Sequence, residues 1–371
     1  MICLAKNADT GWPLTIDFDT TIESVKPAET DPGNLYVAPG FIDLQVNGFA
    51  GIDFNDPKSS VEQIGKALDA ILATGVTRCL PTVITGPPAA MLASLRNLHR
   101  AKTSLPRGRA IVGFHVEGPH IDSEDGPRGA HPAACVRPPD LDEFARWQDA
   151  TEGNIRLVTL SPHWPGAPRY IASLTEAGVV ISIGHTGANS QQIATAVDAG
   201  ATLSTHLGNA AHKSLPKFPN YLLDQLAEDR LSASFIVDGI HLDDAFLQVA
   251  LRAKTIARTI LVTDAAAPAG ATPGRYRLGE LEVELTPDNR VVLAGTTKLA
   301  GSALRMDAAI ANLMRIGKLT LSDAVRTATA NPAQLLGLPT GLAVGKRADL
   351  VLFRQSPAIE IEAVYLDGEL M

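Results

Sequence analysis

The chain has 371 residues, 45% hydrophobic and 19% charged, with a mean hydropathy of +0.08, a composition that supports a sizeable core and excludes disorder for the bulk of the chain. Its 32 Lys and Arg against 40 Asp and Glu leave a formal charge of −8, which excludes a global basic footprint for nucleic acid or an anionic membrane. Cys3, Cys79 and Cys135 are too few and too widely spaced for a disulfide framework or a cysteine zinc site. With no signal-peptide pattern at the start and no apolar run of the ~18 residues a membrane span needs, the expected location is the cytoplasm.

Residues 1–37 carry short extended pieces and turns, Asp31-Pro32-Gly33-Asn34 among them. Apolar runs rich in Val, Ile, Leu and Phe then recur at 37–46, 76–83, 110–117, 155–160, 179–184, 202–206, 233–238 and 259–264, as expected of parallel strands buried on both faces. Helix-compatible stretches such as 60–74 and 190–199 lie between them. Eight alternating units predict a closed (β/α)8 barrel rather than an open doubly wound sheet, and the G-x-G-x-x-G fingerprint of a dinucleotide fold is missing. Further on come β-like pieces at 279–285 and 290–293, helices at 303–316 and 322–336, and strands at 349–353 and 361–366. The expected fold is therefore α/β, a TIM-type barrel over 38–337 with a small β-sandwich domain built from both termini, 1–37 and 338–371.

In such a barrel the chemistry sits at the C-terminal ends of the strands. Six of the eight ends here place ionisable or amide groups directly after an apolar run. They read Gln45-Val46-Asn47, His115-Val116-Glu117, Gly184-His185-Thr186, Thr205-His206-Leu207-Gly208-Asn209, Asp238-Gly239-Ile240-His241 and Thr263-Asp264-Ala265. One carboxylate and two imidazoles, Glu117, His185 and His206, suit a single divalent ion, zinc first, with a coordination position open for water. Asp264 would then carry a proton from that water to the leaving group. The alternative for any one of these residues alone is a strand cap bonded to a backbone carbonyl. His115, on the same side of its strand as Glu117, either supports the site from behind or simply packs. His163 lies on the same face with its role open. His99 and the cluster Arg252, Lys254 and Arg258 are expected on solvated helix faces.

The strand ends join other runs: Pro39-Gly40-Phe41-Ile42-Asp43-Leu44-Gln45-Val46-Asn47-Gly48, Gly129-Ala130-His131-Pro132, Leu299-Ala300-Gly301-Ser302, Ala330-Asn331-Pro332-Ala333 and Gly345-Lys346-Arg347-Ala348-Asp349-Leu350. In order, and over nearly the whole chain, they resemble the amidohydrolase superfamily and, within it, the N-acetylglucosamine-6-phosphate deacetylases. The resemblance implies a homodimer that hydrolyses the N-acetyl group of a small amino-sugar phosphate to acetate and free amine. Gln45 and Asn47 stand where many amidohydrolases carry a His-x-His pair for a second metal, so it also implies one metal ion per chain, with these two amides lining the site. By position, Ala130, His131, Asn209, Ala210 and His241 would hold the sugar and its phosphate, and Ala300, Gly301 and Ser302 would line the acetyl end.

One departure bears on the substrate. The deacetylases usually have a Gly-Arg-Glu-Pro-Gly segment whose Arg reaches the phosphate in the neighbouring subunit. This chain reads His212-Lys213-Ser214-Leu215-Pro216-Lys217-Phe218-Pro219, with Lys217 at the place of the Arg. A lysine neutralises phosphate as a point charge but lacks the bidentate fork. The alternatives are an amidohydrolase acting on an unphosphorylated N-acyl sugar, an N-acyl amino acid or a cyclic amide, and a catalytically inactive binding protein on the same fold. The last is disfavoured by the retention of Glu117, His185, His206 and Asp264 together.

Overall fold

A computed structural model describes residues 1–371. Eight parallel strands, Phe41–Val46, Val76–Ile84, Phe114–Glu117, Ile155–Leu160, Val180–Ile183, Ala201–Ser204, Ser232–Phe235 and Thr259–Leu261, lie side by side in chain order. The ring closes between the last and the first: Asp264 N donates to Gln45 O at 2.9 Å and Asn47 N to Ala265 O at 2.7 Å. Apolar continuity drives this architecture. All nine residues of Val76–Ile84 are buried, and one cluster of 73 buried residues joins the strands to the surrounding helices.

The helices begin where caps demand it. Ser60 accepts from Gln63 N while the Gln63 side chain accepts from Ser60 N, so the helix Val61–Leu72 starts with a capping box and buries Ile64, Ala67, Leu68 and Ile71 on one face. Asn189 caps Ser190–Asp198 in the same way. Such starts determine how much chain is left between each strand end and its helix, and those loops carry the polar residues.

Several boundaries differ from expectation. The run 37–46 is two strands, Leu35–Pro39 in the terminal sheet and Phe41–Val46 in the barrel. Gly40 is the seam, where a Cβ would lie 2.0 Å from Thr77 Oγ1. The helix expected over 322–336 is broken into Leu321–Thr327 and Ala330–Leu336. Pro332 has no N–H to continue a helix but is tolerated in the first turn of a new one. Residues Pro106–Ala110 form a 3-10 turn, so the third strand shortens to Phe114–Glu117. The sixth, seventh and eighth strands stop two or three residues early, because the chain then turns into the barrel mouth.

A three-stranded antiparallel meander, Gly274–Leu278, Leu281–Leu285 and Val291–Leu293, packs Leu278, Val283, Leu285 and Val291 against Ile84, Ala266 and Ala300. The termini share one seven-stranded sheet in the order Glu369–Leu370, Ala358–Leu366, Leu350–Ser356, Leu35–Pro39, Ile2–Asn7, Pro13–Phe18, Ile22–Pro27. Its far edge bends back, with Ile22 N donating to Lys346 O and Gly345 N to Ile22 O, both at 2.8 Å. This closes a sandwich around a separate core of ten residues that includes Ile16, Phe18, Val37 and Leu350. No helix is long and apolar enough to cross a membrane.

Two residues expected on solvated faces are not there. His99 is half-buried, its ring edge-on to Phe114 with centroids 6.5 Å apart. Lys254 is fully buried, while Arg252 is exposed and Arg258 pairs with Asp229. The Lys254 stem packs on its apolar helix face and its Nζ donates to Glu228 O (2.7 Å) and Leu231 O (3.0 Å), which a surface position would not require. Burial holds this ammonium down at about 8, below the ordinary lysine value of 10.5. Because the unfolded chain then binds the proton more tightly, the cost of burial is present below about pH 8 and is relieved as pH rises toward 10.5. Lys254→Met should lose ~1.5–3 kcal/mol in urea denaturation, the scale of charged hydrogen bonds left unmade. The wild-type advantage should widen between these two pH values.

Candidate active site

Strand register brings the polar residues together. Ile84 and Glu117 are in-register neighbours on adjacent strands, and Thr159 opposes Glu117 from the other side. The Glu117 carboxylate therefore rises into the mouth of the barrel. His185, His206 and Asp264 follow their strands with left-handed backbone, φ 49°, 30° and 50°. Such turns are costly for non-glycine residues and recur at functional sites. Here they swing three side chains inward over Glu117.

Glu117 Oε1 lies 3.3 Å from His185 Nε2 and 2.9 Å from His206 Nε2. The three residues form the one cluster of His, Cys, Asp or Glu side chains whose ligand atoms all lie within 4.8 Å of one another. All three are buried. These separations are close to the ~3.4 Å edge of a tetrahedron with bonds of ~2.1 Å. His185 Nδ1 sits 2.9 Å from Pro127 O. A carbonyl only accepts, so Nδ1 carries a proton, which fixes the ring with Nε2 as the nitrogen that faces Glu117. The donor set fits a divalent ion.

Burial pushes the Glu117 carboxyl up, but the hydrogen bonds and charges of His185 and His206 outweigh it and hold it well below the usual range. Burial likewise depresses His206, and its bond to Glu117 together with the charges of Glu117 and Asp264 raises it above the ordinary value. Asp264 is raised to about 6, first by burial and then by the charge of Glu117.

Gln45 and Asn47 present amide N–H groups to the two carboxylates. Gln45 Nε2 donates to Glu117 Oε1 (2.8 Å) and Asp264 Oδ1 (3.0 Å), and Asn47 Nδ2 donates to Asp264 Oδ1 (2.7 Å). Gln45 thus bridges the two carboxylates, and both amides leave Asp264 Oδ2 free.

A cavity with about 60 Å³ of water-accessible space is lined by Asn47, Glu117, Ala130, His131, His185, His206, Asn209, Ala210, His241, Asp264, Ala300 and Gly301, so twelve expected residues meet in one place. His131 Nδ1 bonds Thr85 Oγ1 at 2.8 Å, and burial followed by the charge of His185 holds its ring neutral, at about 3. His241 Nδ1 lies 2.6 Å from Asp238 Oδ2 while its buried Nε2 has no partner.

Three of the expected residues are not in the cavity lining: Gln45, which bonds Glu117 and Asp264, Ser302 and Lys217. Ser302 does not line the cavity, because its Oγ donates to Thr263 O at 2.5 Å and its N to Asp264 O at 2.9 Å, so it anchors the Asp264 turn. Lys217 does not face the cavity of its own chain. It is exposed between Pro216 and Pro219, its Nζ 5.9 Å from the Phe218 ring centroid. His115 packs inside the barrel between Thr159 Oγ1 (2.8 Å) and Thr82 Oγ1 (3.4 Å), and His163 bonds Ser161 Oγ at 2.6 Å outside the cavity lining.

Sequence reasoning also missed contributors. Asp43 is buried, accepting from Thr263 Oγ1 (2.5 Å) and Thr263 N (3.2 Å), which ties strand one to the Asp264 turn. Burial pushes its carboxyl up to about 7, against those hydrogen bonds. An ionisable residue inside an otherwise apolar strand was the available signal. Thr85, Ile84, Leu278 and Leu281 carried no chemical signal in the sequence.

A barrel with metal-ligand side chains and a carboxylate converging at its C-terminal mouth defines a metal-dependent hydrolase of the amidohydrolase type, and the chain belongs to the amidohydrolase family, whose profile matches residues 36–371. Its relatives within that family are N-acetylglucosamine-6-phosphate deacetylases. The enzyme of Bos taurus is 38% identical over 94% of this chain and 86% of its own length, and that of Homo sapiens 38% identical over 92% and 84%. The solved structure of N-acetyl-D-glucosamine-6-phosphate deacetylase from Mycobacterium smegmatis, as an aspartate-to-alanine variant with N-acetyl-D-glucosamine-6-phosphate bound, superposes with a TM-score of 0.91 at 32% identity. It covers 100% of this chain and 98% of that one. The family implies a divalent metal, and Glu117, His185 and His206 are the residues able to hold it.

Purified protein should contain one divalent ion per chain by elemental analysis. Glu117→Gln should retain only a small fraction of it at equal free metal, because an amide oxygen is a far weaker ligand than a carboxylate.

Proposed function

We propose that this protein removes the acetyl group from N-acetylglucosamine 6-phosphate, yielding acetate and the amino-sugar phosphate, with zinc as the ion. One observation carries the reading: Glu117, His185, His206 and Asp264 converge in a single cavity in a chain 38% identical to a deacetylase of that substrate. Glu117, His185 and His206 would hold the ion, which supplies Lewis acidity toward the acetyl carbonyl and an acidified water.

This chain's own residues do the rest. With Oδ1 held by the Gln45 and Asn47 amides, Asp264 Oδ2 takes the proton of the attacking water as oxygen adds to the carbonyl carbon. The same oxygen returns the proton to the amine nitrogen as the C–N bond breaks, leaving acetate and the free amine. His241 offers its unpartnered Nε2 to the sugar or phosphate. His131 and Ala130 flank the sugar beside Asn209 and Ala210, and Ala300 and Gly301 border the acetyl end. The barrel, expected over 38–337, starts at Phe41 after the Gly40 seam, and the terminal domain takes residues 1–39 with 338–371. The protein works as a cytoplasmic homodimer, in which Lys217, turned away from its own cavity, reaches the phosphate in the partner's site.

Asp264→Asn keeps the shape but cannot carry a proton, so turnover should fall by on the order of 10²-fold or more while metal content is retained. Near wild-type turnover would move the base elsewhere. Lys217→Ala should raise KM for the phosphorylated sugar roughly ten- to hundredfold, the equivalent of ~1.5–3 kcal/mol for a charge-assisted hydrogen bond. The unphosphorylated sugar should be nearly unaffected. Equal effects on both sugars, in steady-state acetate release, would remove the phosphate role.

A further inference from the structure

Ile84 ends the second barrel strand in register with Glu117, and opposed residues of neighbouring strands share a face. Its side chain therefore points into the barrel mouth, and it clusters there with Leu278 and Ala300. On the far side of the same residue lies a second cavity with about 180 Å³ of water-accessible space, against about 60 Å³ in the catalytic one. Its walls include Val83, Thr85, Ala90 and Met91 next to Ile84 and, farther out, the polar Asn55, Asp56 and Ser94 and the exposed Lys58, Arg277 and Glu280, and Ile84 is the one residue that lines both spaces.

The direction of the substrate follows from the order of strands around the barrel. Asn209, Ala210 and His241 follow strands six and seven, and Ile84 ends strand two, across the ring, with Glu117, His185, His206 and Asp264 between them. With its sugar on the first group and its carbonyl at the centre, a substrate can direct its acyl carbon chain toward Ile84, past Ala130, which packs on the same cluster as Ile84, and His131, which bonds Thr85. That wall is apolar, made by Ile84, Leu278, Leu281, Leu299 and Ala300.

We infer that Ile84 is the residue that limits the acyl group to acetyl, a partition between the catalytic cavity and a neighbouring one that a longer acyl chain would otherwise enter. The inference rests on the deacetylase reading above. It makes Ile84 a specificity-determining residue, since the reaction of a longer N-acyl group is the same hydrolysis. An apolar pocket discriminates roughly 10–200-fold per methylene, so the partition needs no polar group.

The test measures kcat/KM for the N-acetyl, N-propionyl and N-butyryl derivatives of glucosamine 6-phosphate, using zinc-loaded full-length protein. Wild type should lose about tenfold or more with each added methylene. Ile84→Ala should raise the butyryl-to-acetyl ratio by at least about tenfold, the same scale seen from the other side. The double variant Ile84→Ala with Ala90→Phe, which fills the second cavity from the helix Pro88–Ser104, should return the ratio toward wild type. That reversal separates a joined cavity from a merely loosened site. If Ile84→Ala does not fold, Ile84→Val should still raise the propionyl-to-acetyl ratio severalfold. A wild type that accepts butyryl as readily as acetyl, an unmoved ratio in the folded Ile84 variant, or a gain that Ala90→Phe fails to reverse would overturn the inference while leaving the deacetylase reading intact. A zinc-loaded wild type inactive on the N-acetyl substrate would overturn that reading and this inference with it.

Discussion

A carboxylate kept charged out of contact with water governs the centre of this protein. Glu117 is 3% exposed, and an isolated charge at such a position would take up a proton rather than remain ionised. It stays charged because two imidazoles and an amide N–H converge on a single oxygen, Oε1. That convergence needs four different strands to end at the same height, which is what a closed parallel ring provides. The two histidines and Gln45 are 68, 89 and 72 residues away along the chain, so no local segment could satisfy the charge by itself. A bound cation answers the same electrostatic demand more fully, since it faces the carboxylate and accepts the imidazole lone pairs together.

The arrangement has a conformational cost. Left-handed backbone at His185, His206 and Asp264 costs of order 1–3 kcal/mol at each residue, and it persists because what surrounds it is over-determined. Asp43 and Ser302 pin the Asp264 turn from two directions, one from strand one and one from the loop after the meander. Gly301 makes the second approach possible: its φ is +74°, and a Cβ there would lie 2.9 Å from Ala266 Cβ. Beneath these turns the 73-residue core supplies the rigidity that keeps Asp264 and its neighbours at hydrogen-bond distances.

The site is polar on one side and apolar on the other. Histidines and backbone turns after strands six and seven face Ile84, Leu278 and Leu281 across the cavity. Leu278 and Leu281 in that wall come from the three-stranded meander, an addition that belongs to neither the ring nor the terminal sandwich. By covering the mouth it lowers the local dielectric, which strengthens every charge interaction beneath it.

Much of this was legible before any tertiary structure. The barrel could be read from eight apolar runs because strands buried on both faces need nearly continuous Val, Ile and Leu, a local property of the chain. Glu117, His185, His206 and Asp264 could be read because each directly follows such a run. Both signals are short-range, and sequence carries short-range information well. What tertiary structure decided was everything that depends on distant segments meeting. It turned Ser302 from a site-lining residue into a brace, set Lys217 outside its own cavity, buried Lys254 on two backbone carbonyls, and brought Thr85 onto His131 across 46 residues. Ile84 is the clearest instance: in the sequence it is one more apolar residue at the end of a strand, and only the packing of the helix Pro88–Ser104 and the meander around it makes it a wall with a cavity on each side. Sequence determines which residues are available at each strand end. The folded ring decides which of them face each other, because that depends on register and distance rather than on order along the chain.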